Sequence, residues 1–247
     1  MRGILLAGGA GTRLGDRTGG ANKHLLEVAG RTMLDRGMDK LLAAGVDEIL
    51  VVTGVDHARA LRAALEEWTG KLPWRLVPQD HPGGIGQALG LCAAHLEDPA
   101  ERLAVLLADN LFSAPLGPLV DDWAAHGAAA RIHWQTVPDP ERFGVAVRDA
   151  EGRILRIVEK PVTPCGNLAV TGIYLLPAEA AEVARRCPPS PRGEVEIVSV
   201  LEHYLLEGRL DGRELPGWWI DAGTPESIAA AEAFFAGEAQ EGRSGGR

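Results

Sequence analysis

Ile4-Leu5-Leu6-Ala7-Gly8-Gly9-Ala10-Gly11-Thr12-Arg13-Leu14, followed after a short gap by Lys23-His24-Leu25-Leu26, decides how the rest of this chain is read. An apolar run of strand type opens into a glycine loop that carries an arginine, and a lysine follows ten residues later. Glycines let backbone N–H groups approach a phosphate closely. Arg13 and Lys23 add two cations to the same small volume, which suits the binding of a triphosphate. A bare glycine-rich turn would have no use for either cation. Two familiar phosphate loops fail on spacing. A dinucleotide fingerprint counted from Gly9 and Gly11 needs a glycine at position 14, which is Leu14. Gly15 and Gly20 have the Walker spacing, but Ala21-Asn22 follows them in place of Lys-[Ser/Thr].

Working outward, apolar runs alternate with helical patterns. Gly3–Ala7, Glu48–Thr53, Trp74–Val77 and Leu103–Ala108 read as strands, and 32–44, 57–68 and 85–96 as helices. This alternation predicts an α/β fold with a doubly wound, mostly parallel sheet, in which ligands sit at the carboxyl ends of the strands. Gln79, Gly84 and Asp109 all fall just after predicted strands. Further on, the pattern becomes β-rich. Strands are expected at Ala128–Thr136, Gly144–Arg148, Arg153–Glu159 and Ala169–Leu176, helices at 178–186, 195–206 and 225–235, and a short strand at Trp218–Asp221. One continuous domain over 1–236 follows, with a nucleotide-binding half (1–127) and a smaller mixed acceptor half (128–236). The stretch 237–247 is expected to be a disordered tail.

The 247 residues carry a net charge of −9, which weighs against a general affinity for nucleic acid or anionic membrane. Three widely spaced cysteines form no C-x-x-C pair and fit a reducing compartment. No signal peptide or membrane span is visible, so the expected location is the cytoplasm.

Leu106-Leu107-Ala108-Asp109-Asn110 sets a carboxylate at the end of a buried strand, a good position for Mg²⁺, which often takes one or two carboxylates plus phosphate oxygens. Glu159-Lys160-Pro161 ends another strand, and its proline stiffens the turn that aims the lysine. Asn167-Leu168-Ala169-Val170-Thr171-Gly172 offers a threonine and a glycine against which a polar ligand could lie.

Together with Gly84–Ala88, Asp139–Val145, Arg192–Ile197 and Trp219–Thr224, these segments resemble, in order, the sugar-1-phosphate nucleotidylyltransferases, and most of all their glucose-1-phosphate thymidylyltransferase branch. The resemblance implies a Rossmann-like fold of the nucleotide-diphospho-sugar transferase type. It also implies transfer of a nucleotidyl group from a triphosphate, dTTP or UTP, to a sugar 1-phosphate with Mg²⁺. Gly8, Gly9 and Gly11, with Leu6 and Thr12, would hold the nucleotide; Arg13 and Lys23 would neutralise its phosphates; Gln79 and Gly84 would read the pyrimidine edge. Asn110, Gly144, Glu159 and Val170 would contact the acceptor and Lys160 its phosphate, while Asp109 would bind the metal. Asp221 resembles a cleft residue of the family, with a structural turn role equally open, and Ser199 stands where the family pattern carries an acid that joins Asp109 on the metal. That leaves Mg²⁺ to Asp109, phosphate oxygens and water, with Glu196 an alternative ligand. Two other readings stay open: a cytidylyl- or guanylyltransferase for another phosphorylated sugar, cyclitol or phosphonate, and a non-catalytic nucleotide-sugar-binding module. Homo-oligomerisation is compatible with all three.

Overall fold

The computed structural model describes residues 1–9 and 22–244, with side chains through 237. Gly11, Thr12 and Arg13 lie outside the described residues. In chain order the elements are β1 (Arg2–Leu6), β2 (Glu27–Val28), β3 (Arg31–Thr32), α1 (Met33–Ala43), β4 (Glu48–Gly54), α2 (Ala58–Leu65), β5 (Trp74–Gln79), α3 (Gly84–Leu91), β6 (Arg102–Leu107), β7 (Asn110–Phe112), α4 (Leu116–His126), β8 (Ala130–Thr136), β9 (Gly144–Arg148), β10 (Ile154–Glu159), β11 (Leu168–Pro177), α5 (Glu179–Arg186), α6 (Ile197–Leu206), β12 (Leu210–Glu214), β13 (Trp219–Asp221) and α7 (Pro225–Ser244).

β1 is buried on both faces, as its unbroken apolar run requires. Because side chains alternate along a strand, Ile4 and Leu6 enter one core and Leu5 and Ala7 the other. The first core fills the space under α3, α5 and α6 with Leu89, Ala181, Val200 and Tyr204. The second lies under α1, α2 and α4 with Leu34, Met38, Leu61, Val120 and Trp123. Helices therefore cover both faces of one sheet.

That nine-stranded sheet runs β10-β9-β11-β6-β1-β4-β5, with β8 branching from β11 and β12 pairing with β8. The strands β5, β4, β1 and β6 are parallel, and β11 joins β6 antiparallel, so the two halves of the chain share one sheet. β4 lies on one side of β1 and β6 on the other, which puts the topological switch point between β1 and β6. Gly8 and Gly9 leave the sheet at the end of β1, and Asp109 at the end of β6. A small separate ribbon pairs β13 with β7 and sets Asp221 opposite Asn110.

Besides the two- and three-residue strands β2, β3 and β7, two longer elements were not anticipated from sequence. α4 carries the signals of a helix, with Leu116, Val120 and Trp123 on its buried face and Gly127 ending it in the left-handed conformation at φ 74°. β12 is short and polar (Leu-Asp-Gly-Arg-Glu), so it shows no apolar run; its partner β8 and the fully buried Arg131 hold it, through a bidentate pair from Arg131 to Asp211 at 2.7 Å on both arms. The expected end of the last helix at Phe235 is also corrected: α7 continues through Gly237 to Ser244. Gly237 and Gly242 each cost the helix only about 1 kcal/mol relative to alanine, and Glu238, Ala239, Gln240 and Glu241 favour continuation. Among the described residues no helix is long and apolar enough to cross a membrane.

Candidate active site

The end of β1 is locked before any ligand is considered. Asn22, fully buried, donates from Nδ2 to the Ala7 carbonyl at 2.9 Å and reaches Thr53 Oγ1 at 3.3 Å. Its Oδ1 accepts from the His24 backbone N–H at 2.8 Å and lies 2.7 Å from His24 Nδ1. Because Nδ2 already faces a carbonyl, Oδ1 is the acceptor, and the imidazole must donate from Nδ1. Burial pushes the His24 imidazole down to about 3, against the pull of Asp109, so it stays neutral. This clamp fixes the single turn of 3-10 helix at Lys23–Leu25 and delivers the Lys23 ammonium to Asp109 Oδ2. The other carboxylate oxygen of Asp109 accepts from Asn110 Nδ2 at 3.0 Å. Burial alone would raise the Asp109 carboxyl; the Lys23 charge and hydrogen bond outweigh it and hold the group below the usual carboxylate range.

A cavity of about 250 Å³ opens here, and Leu6, Gly8, Gly9, Lys23, Gln79, Gly84 and Asp109 all line it. A Cβ on Gly8 would lie 2.6 Å from Gln79 Oε1, so a larger residue there would displace that amide. Gly84 opens α3 at φ 94°, and a Cβ there would meet the Val195 carbonyl oxygen at 2.6 Å.

A second cavity of about 220 Å³ is lined by Asn110, Gly144, Glu159, Lys160 and Val170. The two cavities share Asp109, Glu159 and Lys160 together with Ile85 and Leu107, so they form one cleft with Asp109 at its waist. Lys160 is held at φ 43°, a left-handed conformation that costs a non-glycine residue about 1–3 kcal/mol, and its N–H donates to the Phe143 carbonyl at 2.9 Å. Burial pushes the Glu159 carboxyl up, Lys160 and Arg192 oppose this, and nearby Glu196 adds to the rise; the net shift is upward. The Asn110 carboxamide is fixed by two donors on Oδ1, Gly172 N at 2.8 Å and Trp219 Nε1 at 2.7 Å.

Every candidate site residue from the sequence that lies among the described residues lines one cavity or the other. The structure adds Arg192, Arg142 and Trp219, which sequence reading left without a role, and brings in Asp221, for which a cleft and a turn role were both open. Arg192 enters the nucleotide-side cavity, paired at 2.8 Å with Glu196, which also lines it. Arg142, Trp219 and Asp221 line the acceptor side. The expectation at Ser199 is corrected. Ser199 lies on α6 and lines neither cavity, whereas Asp221 sits opposite Asn110 in the ribbon and Ala222 N–H donates to the Asp109 carbonyl at 2.8 Å. Asp221, within the Trp-x-Asp-x-Gly-Thr segment, therefore joins Asp109 and Glu159 as a carboxylate of the acceptor-side cavity. Among the described residues no cluster of three or more His, Cys, Asp or Glu is poised on a metal. Asp109 and Asp221, which both line the acceptor-side cavity, fit Mg²⁺, which keeps waters and takes its remaining ligands from phosphate.

Comparison with known proteins gives the family. The nucleotidyl transferase family profile matches residues 2–238. The chain belongs to that family and is a sugar-1-phosphate nucleotidyltransferase. It is 37% identical over 239 residues to a glucose-1-phosphate thymidylyltransferase of Mycobacterium tuberculosis, covering 95% of this chain and 82% of that one. Its identity to the enzyme of the same name from Neisseria gonorrhoeae is 35% over 242 residues, covering 95% and 82%. A crystal structure from Bacillus anthracis, assigned as a glucose-1-phosphate thymidylyltransferase and holding sucrose, superimposes with a TM-score of 0.87 at 39% identity, covering 95% and 94%. A UDP-glucose pyrophosphorylase complexed with UDP-glucose has the same fold, with a TM-score of 0.84 at 23% identity over 96% and 98%.

Proposed function

We propose that this enzyme transfers a thymidylyl or uridylyl group from dTTP or UTP to a sugar 1-phosphate, glucose 1-phosphate first among them, with Mg²⁺. The observation that carries the reading is the shared wall of the two cavities: Asp109, Glu159 and Lys160 border both, so a triphosphate in one would meet a phosphorylated acceptor from the other.

An acceptor phosphate oxygen attacks the α-phosphorus; one P–O bond forms as the bond to the β-phosphate bridge breaks, and pyrophosphate leaves in line. A phosphate oxygen is already a nucleophile, so no general base is required, and catalysis consists of positioning and charge neutralisation. Lys23 and Arg13 offset charge on the triphosphate, and the Gly8–Gly11 backbone cradles it. Lys160 holds the acceptor phosphate. Glu159 and Asn110 orient the sugar beside Gly144 and Val170. Gln79 and Gly84 face the base. Asp109 and Asp221 would hold Mg²⁺, which when bound supplies positive charge to the phosphates.

The test is pyrophosphate release across a matrix of dTTP, UTP, CTP, GTP and ATP against several sugar 1-phosphates, with and without Mg²⁺. Release with a thymidine or uridine triphosphate only when Mg²⁺ is present supports the reading. Preference for a purine triphosphate, or no release with any pair, defeats it.

A further inference from the structure

Gln79 is 6% exposed on the wall of the nucleotide-side cavity, and a second glutamine, Gln87, stands behind it without lining the cavity. Two backbone groups decide which way each amide faces. The Gly83 N–H can only donate, and it points to Gln87 Oε1 at 3.2 Å. The Gly84 carbonyl can only accept, and Gln79 Nε2 approaches it at 3.4 Å. Both agree with the bond between the side chains, Gln79 Nε2 to Gln87 Oε1 at 2.7 Å. The far end of Gln87, Nε2, lies 3.1 Å from His81 Nε2. With its amino group committed twice, Gln79 leaves Oε1 over Gly8, and Gly8 has no Cβ to displace it.

We infer that Gln87 is the positioning residue that sets base specificity: by pinning the Gln79 amino group it makes Gln79 present a carbonyl acceptor to the base. This rests on Gln79 facing the base, as proposed above. Uracil and thymine carry an N3–H donor that such an acceptor satisfies. Cytosine carries a lone pair at N3, which would meet Oε1 as acceptor against acceptor. A site built to receive one hydrogen bond rejects the analogue that cannot supply it by large factors. If Gln87 releases the amide, rotation about the terminal torsion turns Nε2 toward the base, and cytosine gains what uracil loses.

The experiment measures dUTP and dCTP binding to the full chain by calorimetry, so it does not depend on the acceptor's identity. These two ligands differ only at the base edge. Wild type is expected to prefer dUTP at least about 100-fold. Gln87→Met, which keeps volume but offers no strong acceptor, should lower that preference at least about tenfold, as should Gln87→Ala. Gln87→Glu, which keeps an acceptor for Gly83 N–H and for Gln79, should restore it; a merely structural role would not give this rescue. Thymidylyl transfer by Gln87→Met at saturating dTTP should keep its kcat. If Gln87→Met and Gln87→Ala hold the wild-type ratio while Gln79→Ala abolishes it, the role given to Gln87 is wrong and Gln79 still reads the base. If Gln79→Ala leaves the ratio unchanged, or wild type prefers dCTP, the base assignment itself falls, and the inference with it.

Discussion

Lys23 donates to the Asp109 carboxylate across 86 positions of sequence, with the two side chains only 13% and 14% exposed. The pair closes the waist of the cleft, holds Asp109 ionised and stations a cation where charge must be offset during transfer. Lys23→Met is expected to cut turnover by about 10²–10³-fold, the usual loss for one fixed electrostatic donor. It should also destabilise the fold, by up to about 3 kcal/mol, because Asp109 is left as an uncompensated buried charge. The double variant Lys23→Met/Asp109→Asn should regain most of that stability and none of the turnover. Thermal melts and pyrophosphate release on the four proteins of this cycle check both statements.

Asp221 and Ser199 make opposite predictions for the metal. Asp221 shares a cavity with Asp109, and Ser199 lines neither. Asp221→Asn should raise the Mg²⁺ concentration for half-maximal turnover at least about tenfold, since one of few carboxylate ligands is lost. Ser199→Asp should leave it unchanged. A Mg²⁺ titration in which Ser199→Asp tightens the metal and Asp221→Asn does not would return the second ligand to α6.

Much of this site was legible because its residues sit at strand ends, where apolar runs stop. Gly8, Gln79 and Asp109 each lie at the end of an apolar or alternating stretch, and a parallel sheet gathers such ends on one edge; Lys160 follows β10, which reaches the same edge from the antiparallel part of the sheet. Asp221 was harder to place. β13 is three residues long and lies outside the main sheet, so nothing local tells that Asp221 faces the cleft; its pairing with Asn110 is a long-range fact. Ser199 misled for the converse reason: a motif column assigned it a neighbour, but helix phase on α6 decides which side chains reach the cavity, and Ile197, Val198 and Leu201 do. Gln87 was hidden because it acts through Gln79 and lines no cavity.

Gly84→Ala is expected to destabilise the protein by about 2–4 kcal/mol, combining a strained left-handed backbone with a clash against a carbonyl that cannot rotate away. The Val195 carbonyl accepts from Gly86 N–H at 2.8 Å, and Val195 N–H donates to Gly83 O at 2.7 Å, so displacing it pulls the start of α6 off α3. Nucleotide binding should weaken as well, because the loop that positions Gln79 moves with them. Chemical denaturation and dTTP calorimetry on this variant, beside Gly127→Ala as a control at a left-handed site with open space, separate the clash from the strain.

His133 gives the fold an acid-sensitive point. It is 1% exposed, its Nδ1 has no hydrogen-bond partner, and burial, with help from the Arg131 charge, pushes the imidazole down from 6.5 to about 4. A histidine with a depressed folded-state pKa binds protons better when unfolded, so stability is complete above the unfolded value. It is lost progressively as pH falls from 6.5 towards about 4, and levels off below that. A shift of this size corresponds to about 3 kcal/mol over the window. His133→Leu removes the unsatisfied nitrogen along with the titration, so its stability near pH 7 should lie within about 1–2 kcal/mol of wild type. Its stability should then fall less steeply with acid, the residual slope including the share of His24, which is buried and depressed in the same sense. Urea denaturation of both proteins at steps between about pH 7.5 and 4.5 reads the difference directly. Parallel curves for wild type and His133→Leu would mean that His133 is protonated in the folded state, contrary to its burial.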